Sequence, residues 1–368
     1  MKVLFQSRVN LFKNLGGDSI QILKTKEYLE KIGAMVDIST ELNPDLSNYD
    51  LVHLFNLNRP QEVYEQARNA RKQNKKIVLS TIYGKYTEYD KKGRFGVYKF
   101  ISKFLNNSQL EYLKIVARAI RNKEFHKGTV NLLFNGYKRL QRKLIDMVDF
   151  YLPNSEMEIK EVMQDFGVKI KNYMVIPNAI DRKIFDVHRV VIDEYLNKFK
   201  YCVLCVARIE GRKNQLNVVR AMKNLPYRLV LIGDTHRNNK NYLEMIKKEA
   251  GDNVFFLGKR DQEFISKLYK LAKVHVLASW MESTGLSSLE AGAIDCNLVI
   301  GDRGYVREYF KEYAYYCDPE SVKSIREAVI QAYENPINPK LKERIMKNFN
   351  WEITAEKTLE AYRKVLNS

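Results

Sequence analysis

Val274-His275-Val276-Leu277-Ala278-Ser279-Trp280-Met281-Glu282-Ser283-Thr284-Gly285-Leu286-Ser287-Ser288-Leu289-Glu290-Ala291-Gly292-Ala293 passes from an apolar run through a polar turn into a second apolar pattern. Val274 to Ala278 reads as a buried parallel strand, and Leu286, Leu289, Ala291 and Ala293 begin a helix after it. Such a junction lies at the carboxyl edge of a parallel sheet, where the free amides of a helix N-terminus receive anionic ligands. Gly285 lets a ligand approach the backbone, and Ser283 or Thr284 is placed to cap the helix. Glu282 in the turn and Glu290 in the second helical turn would hold two hydroxyl-rich parts of one ligand. Taken alone, the same two acids read equally as solvated carboxylates, one of them favouring the helix dipole by about 0.3–1 kcal/mol.

Outward from this junction, strand and helix patterns alternate twice. In the first half, strands are expected at Val3–Phe5, Ala34–Ile38, Leu51–Leu54 and Ile77–Leu79, then at Phe150–Leu152 and Tyr173–Ile176. Helices are expected at Ile20–Ile32, Gln61–Gln73 and Glu156–Phe166. Pro177 to Asp181 is a turn, and Arg182 to Lys200 reads as a connection. The second series has strands at Cys202–Val206, Leu229–Ile232, Val254–Leu257, Val274–Ala278 and Leu298–Ile300, with helices beginning near Asn214, Tyr242, Glu263 and Leu286. Two such series predict an α/β protein of two doubly wound domains with a ligand cleft between them. Trp351 to Leu366 reads as a last helix.

The chain has 368 residues, 45% of them hydrophobic, enough for two cores. No apolar run reaches the length of a transmembrane helix, and the start Met1 to Arg8 turns polar too soon for a signal peptide, so a cytosolic protein is expected. Cys202 and Cys205 fall three apart on a strand, on opposite faces, and read as buried thiols rather than a metal site. The five histidines lack metal-ligand spacing.

The net charge of +18 is uneven. Lys91 to Lys143 holds fourteen Lys and Arg against Glu111 and Glu124, two thirds of the excess. Phe95, Tyr98, Phe100, Ile101, Phe104, Leu105, Tyr112, Leu113, Ile115, Phe134 and Tyr137 are threaded through it. That interleaving suits an anionic membrane surface. A solvated helical face and a nucleic-acid groove are its other readings, the latter ranked last.

Phosphate chemistry is expected after the first strand of the second series. In Val206-Ala207-Arg208-Ile209-Glu210-Gly211-Arg212-Lys213-Asn214, Arg208, Arg212 and Lys213 converge on a helix start, although a basic loop is also an ordinary solvated turn. Gly258-Lys259-Arg260 follows another strand. Gly16-Gly17 opens the first helix and reads equally as close ligand approach or as a tight turn. No Walker loop, G-x-S-x-G elbow or Asp-x-Asp pair is present in the sequence.

Arg208 with Lys213, the pair Glu282 and Glu290, the turn Pro177-Asn178-Ala179-Ile180-Asp181 and Gly16-Gly17 together resemble the retaining glycosyltransferases of family 4, which have the GT-B fold. The resemblance implies two Rossmann-like domains facing across a cleft: an acceptor-side domain, 1–180, carrying a basic aromatic insertion at 91–147, and a nucleotide-sugar domain, 181–350. It also implies a C-terminal helix, 351–368, crossing back to the first domain. By the same resemblance Arg208 and Lys213 hold the donor diphosphate and stabilise it as leaving group, Glu290 grips the ribose, and Glu282 contacts the transferred sugar. Amides at Leu286 and Ser287 add to phosphate binding beside Gly285, while Gly258, Lys259 and Arg260 lie near the base. Tyr83 stands where many members have His, Thr284 where an aromatic is usual, and Ala179 where glycine is customary. The reaction expected is transfer of a hexose from a UDP- or GDP-linked donor, without cofactor or metal, to a lipid-linked or membrane-borne glycan at the cytoplasmic face of a membrane. Transfer to nucleic acid or protein, and nucleotide-sugar binding without catalysis, are the alternatives.

Overall fold

A computed structural model of the chain describes residues 1–13, 16–94, 105–122 and 125–367. Within the basic aromatic segment, Phe95, Tyr98, Lys99, Phe100, Ile101, Lys103, Phe104, Lys123 and Glu124 lie outside the described residues, as do Asn14 and Leu15 of the first glycine loop.

Short apolar runs buried on both faces are what an all-parallel sheet requires. The first unit has β1 (Lys2–Gln6), β2 (Met35–Ser39), β3 (Leu51–Phe55), β4 (Lys76–Ser80) and β5 (Phe150–Tyr151), all parallel, in the order β2-β1-β3-β4-β5; β1, β3 and β4 are runs of this kind, while the edge strand β2 exposes Met35 and Asp37. The helix Pro60–Lys72 starts with a proline at its first position, where no amide hydrogen is needed. Ser155 caps Glu156–Phe166 by accepting from the Glu158 amide, and Gly167 ends it in the left-handed region. The C-terminal helix Trp351–Leu366 packs on Gly17–Lys31, and its Tyr362 hydroxyl lies 2.6 Å from His53 Nδ1. Burial holds the His53 imidazole down to about 3.

The second unit contains β6 (Val203–Val206), β7 (Leu229–Ile232), β8 (Val254–Gly258), β9 (Val274–Leu277), β10 (Asn297–Gly301) and β11 (Tyr315–Cys317). Its order is β11-β10-β9-β6-β7-β8, again parallel throughout. Cys202 and Cys205 pack into cores on opposite faces of this sheet, and burial pushes each thiol up to about 12.

Two expectations change. Tyr173–Ile176 is not a strand: Tyr173 makes one isolated bridge to Tyr151, beside a β5 only two residues long. The strand Tyr315–Cys317 and the helices Val322–Glu334 and Pro339–Asn348 were not anticipated. The units are Met1–Gly84 with Phe104–Asn178 and Trp351–Ser368, and Lys85–Lys103 with Ala179–Asn350. Among the described residues, Lys85–Arg94 groups with the second sheet, because Tyr86, Glu88 and Lys92 find partners in Arg212, Arg303 and Glu320.

Candidate active site

In the second sheet the chain runs from β6 outward to β7 and β8, then returns to place β9 on the other side of β6. The loops after β6 and β9 thus leave neighbouring strand ends in opposite directions. This is the switch point at which open parallel sheets leave a crevice for ligands. Both basic and acidic motifs fall on these two loops.

Asn214 fixes the loop after β6. It adopts a left-handed φ of 62°, which asparagine tolerates better than most residues, and its Nδ2 donates to Ala278 O at 3.0 Å and Pro319 O at 2.8 Å. The Trp280 amide donates to Arg212 O at 3.0 Å, closing the seam between the two loops. After β9, the Tyr305 amide donates to Glu282 O at 3.0 Å, and a Cβ on Gly304 would stand 2.0 Å from that oxygen, so only glycine fits. Backbone contacts alone therefore bring Lys213 and Glu282 to one place.

Across the seam Lys213 Nζ pairs with Glu282 Oε1, their side chains only 16% and 11% exposed. Beside them, Glu210 takes Arg212 Nε and Nη2 on Oε1 at 3.2 and 2.9 Å, with Arg208 Nη2 at 3.8 Å. Burial raises the Glu210 carboxyl, but Arg212, Arg208 and Lys213 outweigh it and hold the group down to about 2. Three cations and two carboxylates are thus packed at the end of β6. Replacing part of this pairing with an incoming dianion keeps the cations neutralised, which suits a diphosphate site.

Glu290 lies one element away. It sits in the second turn of Leu286–Ala293 and accepts weakly from the Tyr269 hydroxyl at 3.4 Å. Burial pushes its carboxyl up to about 8. Gly285, at φ 78°, is the N-cap of that helix, and neither Ser283 nor Thr284 caps it. Thr284 instead turns inward, its hydroxyl donating to the Tyr309 hydroxyl at 3.3 Å. Leu286 and Ser287 occupy the first turn, half-buried. Gly258, Lys259 and Arg260 stand at the end of the edge strand β8, about 10 Å across the sheet from β6. Gly16 and Gly17 begin the helix Gly17–Lys31 in the first unit, with Arg8 Nε held by Asp18 at 2.7 Å beside them.

Tyr83, which the resemblance sets in the family's His position, is a core residue. Its ring is 7% exposed, packs edge-on to Phe166, and its hydroxyl donates to Asp165 at 2.8 Å. Tyr86 does reach the basic loop, its hydroxyl accepting from Arg212 Nη1 at 3.0 Å. Sequence reading gave Tyr86, Glu210 and Asn214 no role. For Asn214 alone there was a local signal, an αL-tolerant residue directly before a helix.

Fold and switch-point loops together define an open, all-parallel α/β architecture, and comparison with known proteins narrows it. Residues 192–350 match the family model of the glycosyl transferases group 1. The chain is 27% identical over 225 residues to the N-acetylgalactosamine-N,N'-diacetylbacillosaminyl-diphospho-undecaprenol 4-alpha-N-acetylgalactosaminyltransferase of Campylobacter jejuni, covering 56% of this chain and 59% of that one. It is 25% identical over 158 residues to the serotype-specific mannosyltransferase WbdA of Escherichia coli, covering 40% of this chain and 19% of that one. The matched regions thus span about three fifths and one fifth of those relatives. Sucrose-phosphate synthase of Thermosynechococcus elongatus superposes with a TM-score of 0.74 at 15% identity, covering 100% of this chain and 99% of that one. Anabaena HepE in complex with UDP and glucose does so with a TM-score of 0.70 at 15% identity, over 99% and 100%. The fold is that of the GT-B glycosyltransferases, with two parallel-sheet Rossmann-like domains.

Proposed function

We propose that the chain is a retaining glycosyltransferase of family 4, of hexosyltransferase type, which moves a sugar from a UDP- or GDP-linked donor to a lipid-linked or membrane-borne glycan. The observation that carries this reading is the meeting of Lys213 and Glu282 across the switch point, with Arg208 alongside. Arg208 and Lys213 receive the diphosphate, assisted by the Leu286 and Ser287 amides next to Gly285. Glu282 binds hydroxyls of the transferred sugar, Glu290 the ribose, and Gly258, Lys259 and Arg260 the base end. As the bond from the anomeric carbon to the β-phosphate oxygen breaks, its electron pair stays on that oxygen; the acceptor hydroxyl's oxygen bonds the same carbon, and its proton leaves with the nucleoside diphosphate. Fixed cations stabilise this growing charge more than the ground state, and no step calls on a divalent ion.

The acceptor side of the proposal is supported by the surface of the first unit. Leu113 and Ile120 on the helix Asn107–Asn122, and Val130, Leu133 and Phe134 on Lys127–Asn135, are exposed together with Phe125. The Tyr112 hydroxyl donates to Leu133 O at 3.4 Å, joining the two helices. Large apolar side chains beside Lys127, Lys138 and Arg139 fit anionic lipid, with the protein peripheral on a cytoplasmic face, better than they fit nucleic acid. Among the described residues no helix is long and apolar enough to cross a membrane. The Campylobacter relative's name specifies a glycan on undecaprenyl diphosphate, an acceptor of this chemical class.

The test is a panel of nucleoside diphosphates and nucleotide sugars read by thermal shift, followed by transfer assays with the productive donor. UDP or GDP should raise the Tm, Arg208→Ala should remove the shift, and the product's anomeric proton should match the donor's configuration. Absence of any shift across the panel, or transfer that survives in both Arg208→Ala and Glu290→Ala, sinks the assignment.

A further inference from the structure

The segment Lys85–Arg94 departs from the first unit and lies along the carboxyl-terminal edge of the second sheet. Tyr86 accepts from Arg212 Nη1 at 3.0 Å, and the guanidinium stands 5.1 Å from the centre of its ring. Glu88 receives Nε and Nη2 of Arg303 at 2.6 and 2.9 Å, a two-pronged carboxylate–guanidinium pair. Tyr89–Gly93 forms a π turn, and Lys92 Nζ donates to Glu320 at 2.7 Å. Gly93 lies flat on Trp280, where a Cβ would come within 2.7 Å of the indole, and the Tyr89 hydroxyl is 2.6 Å from the Cβ position of Gly211. These contacts reach, in sheet order, the loops that follow β6, β9, β10 and β11.

The consequence falls on Arg212. Glu210 occupies its Nε and Nη2, while Tyr86 occupies Nη1 and one face of the guanidinium. Three of the five Arg212 N–H groups and one face of the guanidinium are therefore committed to its own loop and to the strap. Arg208, with one long contact to Glu210, and Lys213, facing Glu282, are left to meet an anion. Gly211 and Trp280, the other residues under the strap, flank Arg212 and precede Glu282 by two positions, so the strap fixes both sides of the seam at once.

We propose that Tyr86 and Glu88 are positioning residues for the donor diphosphate: the strap Tyr86–Gly93 clamps the loops after β6, β9 and β10 and keeps Arg212 out of the anion position, leaving Arg208 and Lys213 to bind it. This rests on the reading of that loop as the nucleotide-sugar diphosphate site. Since the strap orders the loop before and during reaction alike, its loss weakens substrate and transition state equally and appears in KM rather than kcat.

The experiment uses the full chain and compares wild type, Tyr86→Phe, Tyr86→Ala, Glu88→Gln and Arg208→Ala. UDP and GDP affinities are measured by calorimetry, transfer by kcat and KM, and amide exchange over residues 207–214 and 279–282 by mass spectrometry. Tyr86→Phe, which keeps the ring and loses one charge-assisted hydrogen bond, should weaken nucleoside diphosphate binding by roughly tenfold. Tyr86→Ala should weaken it further. In both, and in Glu88→Gln, KM for the nucleotide sugar should rise with kcat within about twofold, and exchange in the two loops should accelerate without faster exchange in β6 or β9. If Arg208→Ala abolishes binding while Tyr86→Ala binds and exchanges as wild type does, the strap is packing alone and the inference is overturned with the site reading intact. If wild type binds neither nucleotide, both fall together.

Discussion

Lys213 Nζ and Glu282 Oε1 form the ion pair that joins the loop after β6 to the loop after β9, at the point where the connections of the second sheet reverse direction. In the proposed reaction the two groups part, Lys213 to the diphosphate and Glu282 to the sugar. Glu282→Gln removes the anion that competes for Lys213 but keeps the side chain's size. It should bind UDP or GDP at least as tightly as wild type while kcat/KM for transfer falls about a hundredfold. Lys213→Met leaves the little-exposed Glu282 carboxylate without its cation, at a cost of about 2 kcal/mol, and should lower both Tm and nucleotide affinity. Calorimetry on the two variants separates the roles, since parallel losses of affinity in both would contradict the division of labour.

Glu290 gives the site a pH signature. Burial holds its folded-state carboxyl at about 8, against an ordinary value near 4.3 in an unfolded chain. Between those values the folded protein keeps a proton that the unfolded chain has lost, so this group's contribution to stability falls as pH rises and is fully lost above the folded value. Glu290→Gln cannot ionise, and its Tm should gain on wild type as pH is raised from 6 to 9. If ribose hydroxyls donate to this carboxyl, binding favours the ionised form. Nucleoside diphosphate binding at pH 7 should then release more protons from wild type than from Glu290→Gln, as calorimetry in buffers of different ionisation enthalpy would show.

Asn214 is expected to matter to the site through the backbone. Asn214→Ala removes two hydrogen bonds to buried carbonyls and leaves a Cβ residue in the left-handed region, together about 3 kcal/mol. Asn214→Gly tolerates the conformation and loses only the bonds. Chemical denaturation should therefore rank wild type above Asn214→Gly above Asn214→Ala, with nucleotide affinity in the same order. Equal stability of the two variants would remove the conformational part of the argument.

What the sequence made legible follows from how local each signal was. The junction from Val274 to Glu290 combines an apolar run, a positive-φ glycine and a helical pattern within twenty residues, and its strand and helix lie as read apart from one residue at the strand end. The helix Trp351–Leu366 was equally plain from its periodicity. Tyr315–Cys317 was not, because three residues carry too little pattern and its place beside β10 is a tertiary fact. Tyr173–Ile176 had the composition of a strand but lacked a neighbour long enough to pair with it. The site divides the same way. Arg208, Lys213 and Glu282 are visible as charges on strand-end loops, whereas the inward turn of Tyr83 and the contact of Tyr86 with Arg212 depend on partners 82 and 126 residues away along the chain.

The exposed apolar residues of the first unit lead to a test of where the acceptor is met. Phe134 is 86% exposed, Phe125 and Ile120 each 62%, with Lys127 at the start of the same helix as Phe134. Burying such a side chain in an acyl layer is worth about 1.5–3 kcal/mol, and each nearby Lys or Arg about 1 kcal/mol at an anionic surface. The full chain should sediment with vesicles containing about a third anionic lipid and much less with neutral ones. Phe134→Ser should weaken that binding by roughly tenfold or more, and Lys127→Glu with Lys138→Glu should weaken it and flatten its salt dependence. UDP and GDP affinity should stay unchanged in all of these variants, because none alters the switch-point loops. Transfer to a lipid-bearing acceptor in vesicles should drop, while transfer to a detergent-free, water-soluble acceptor glycan should not. Equal losses on both acceptors would show that these residues serve the fold or the reaction rather than the membrane.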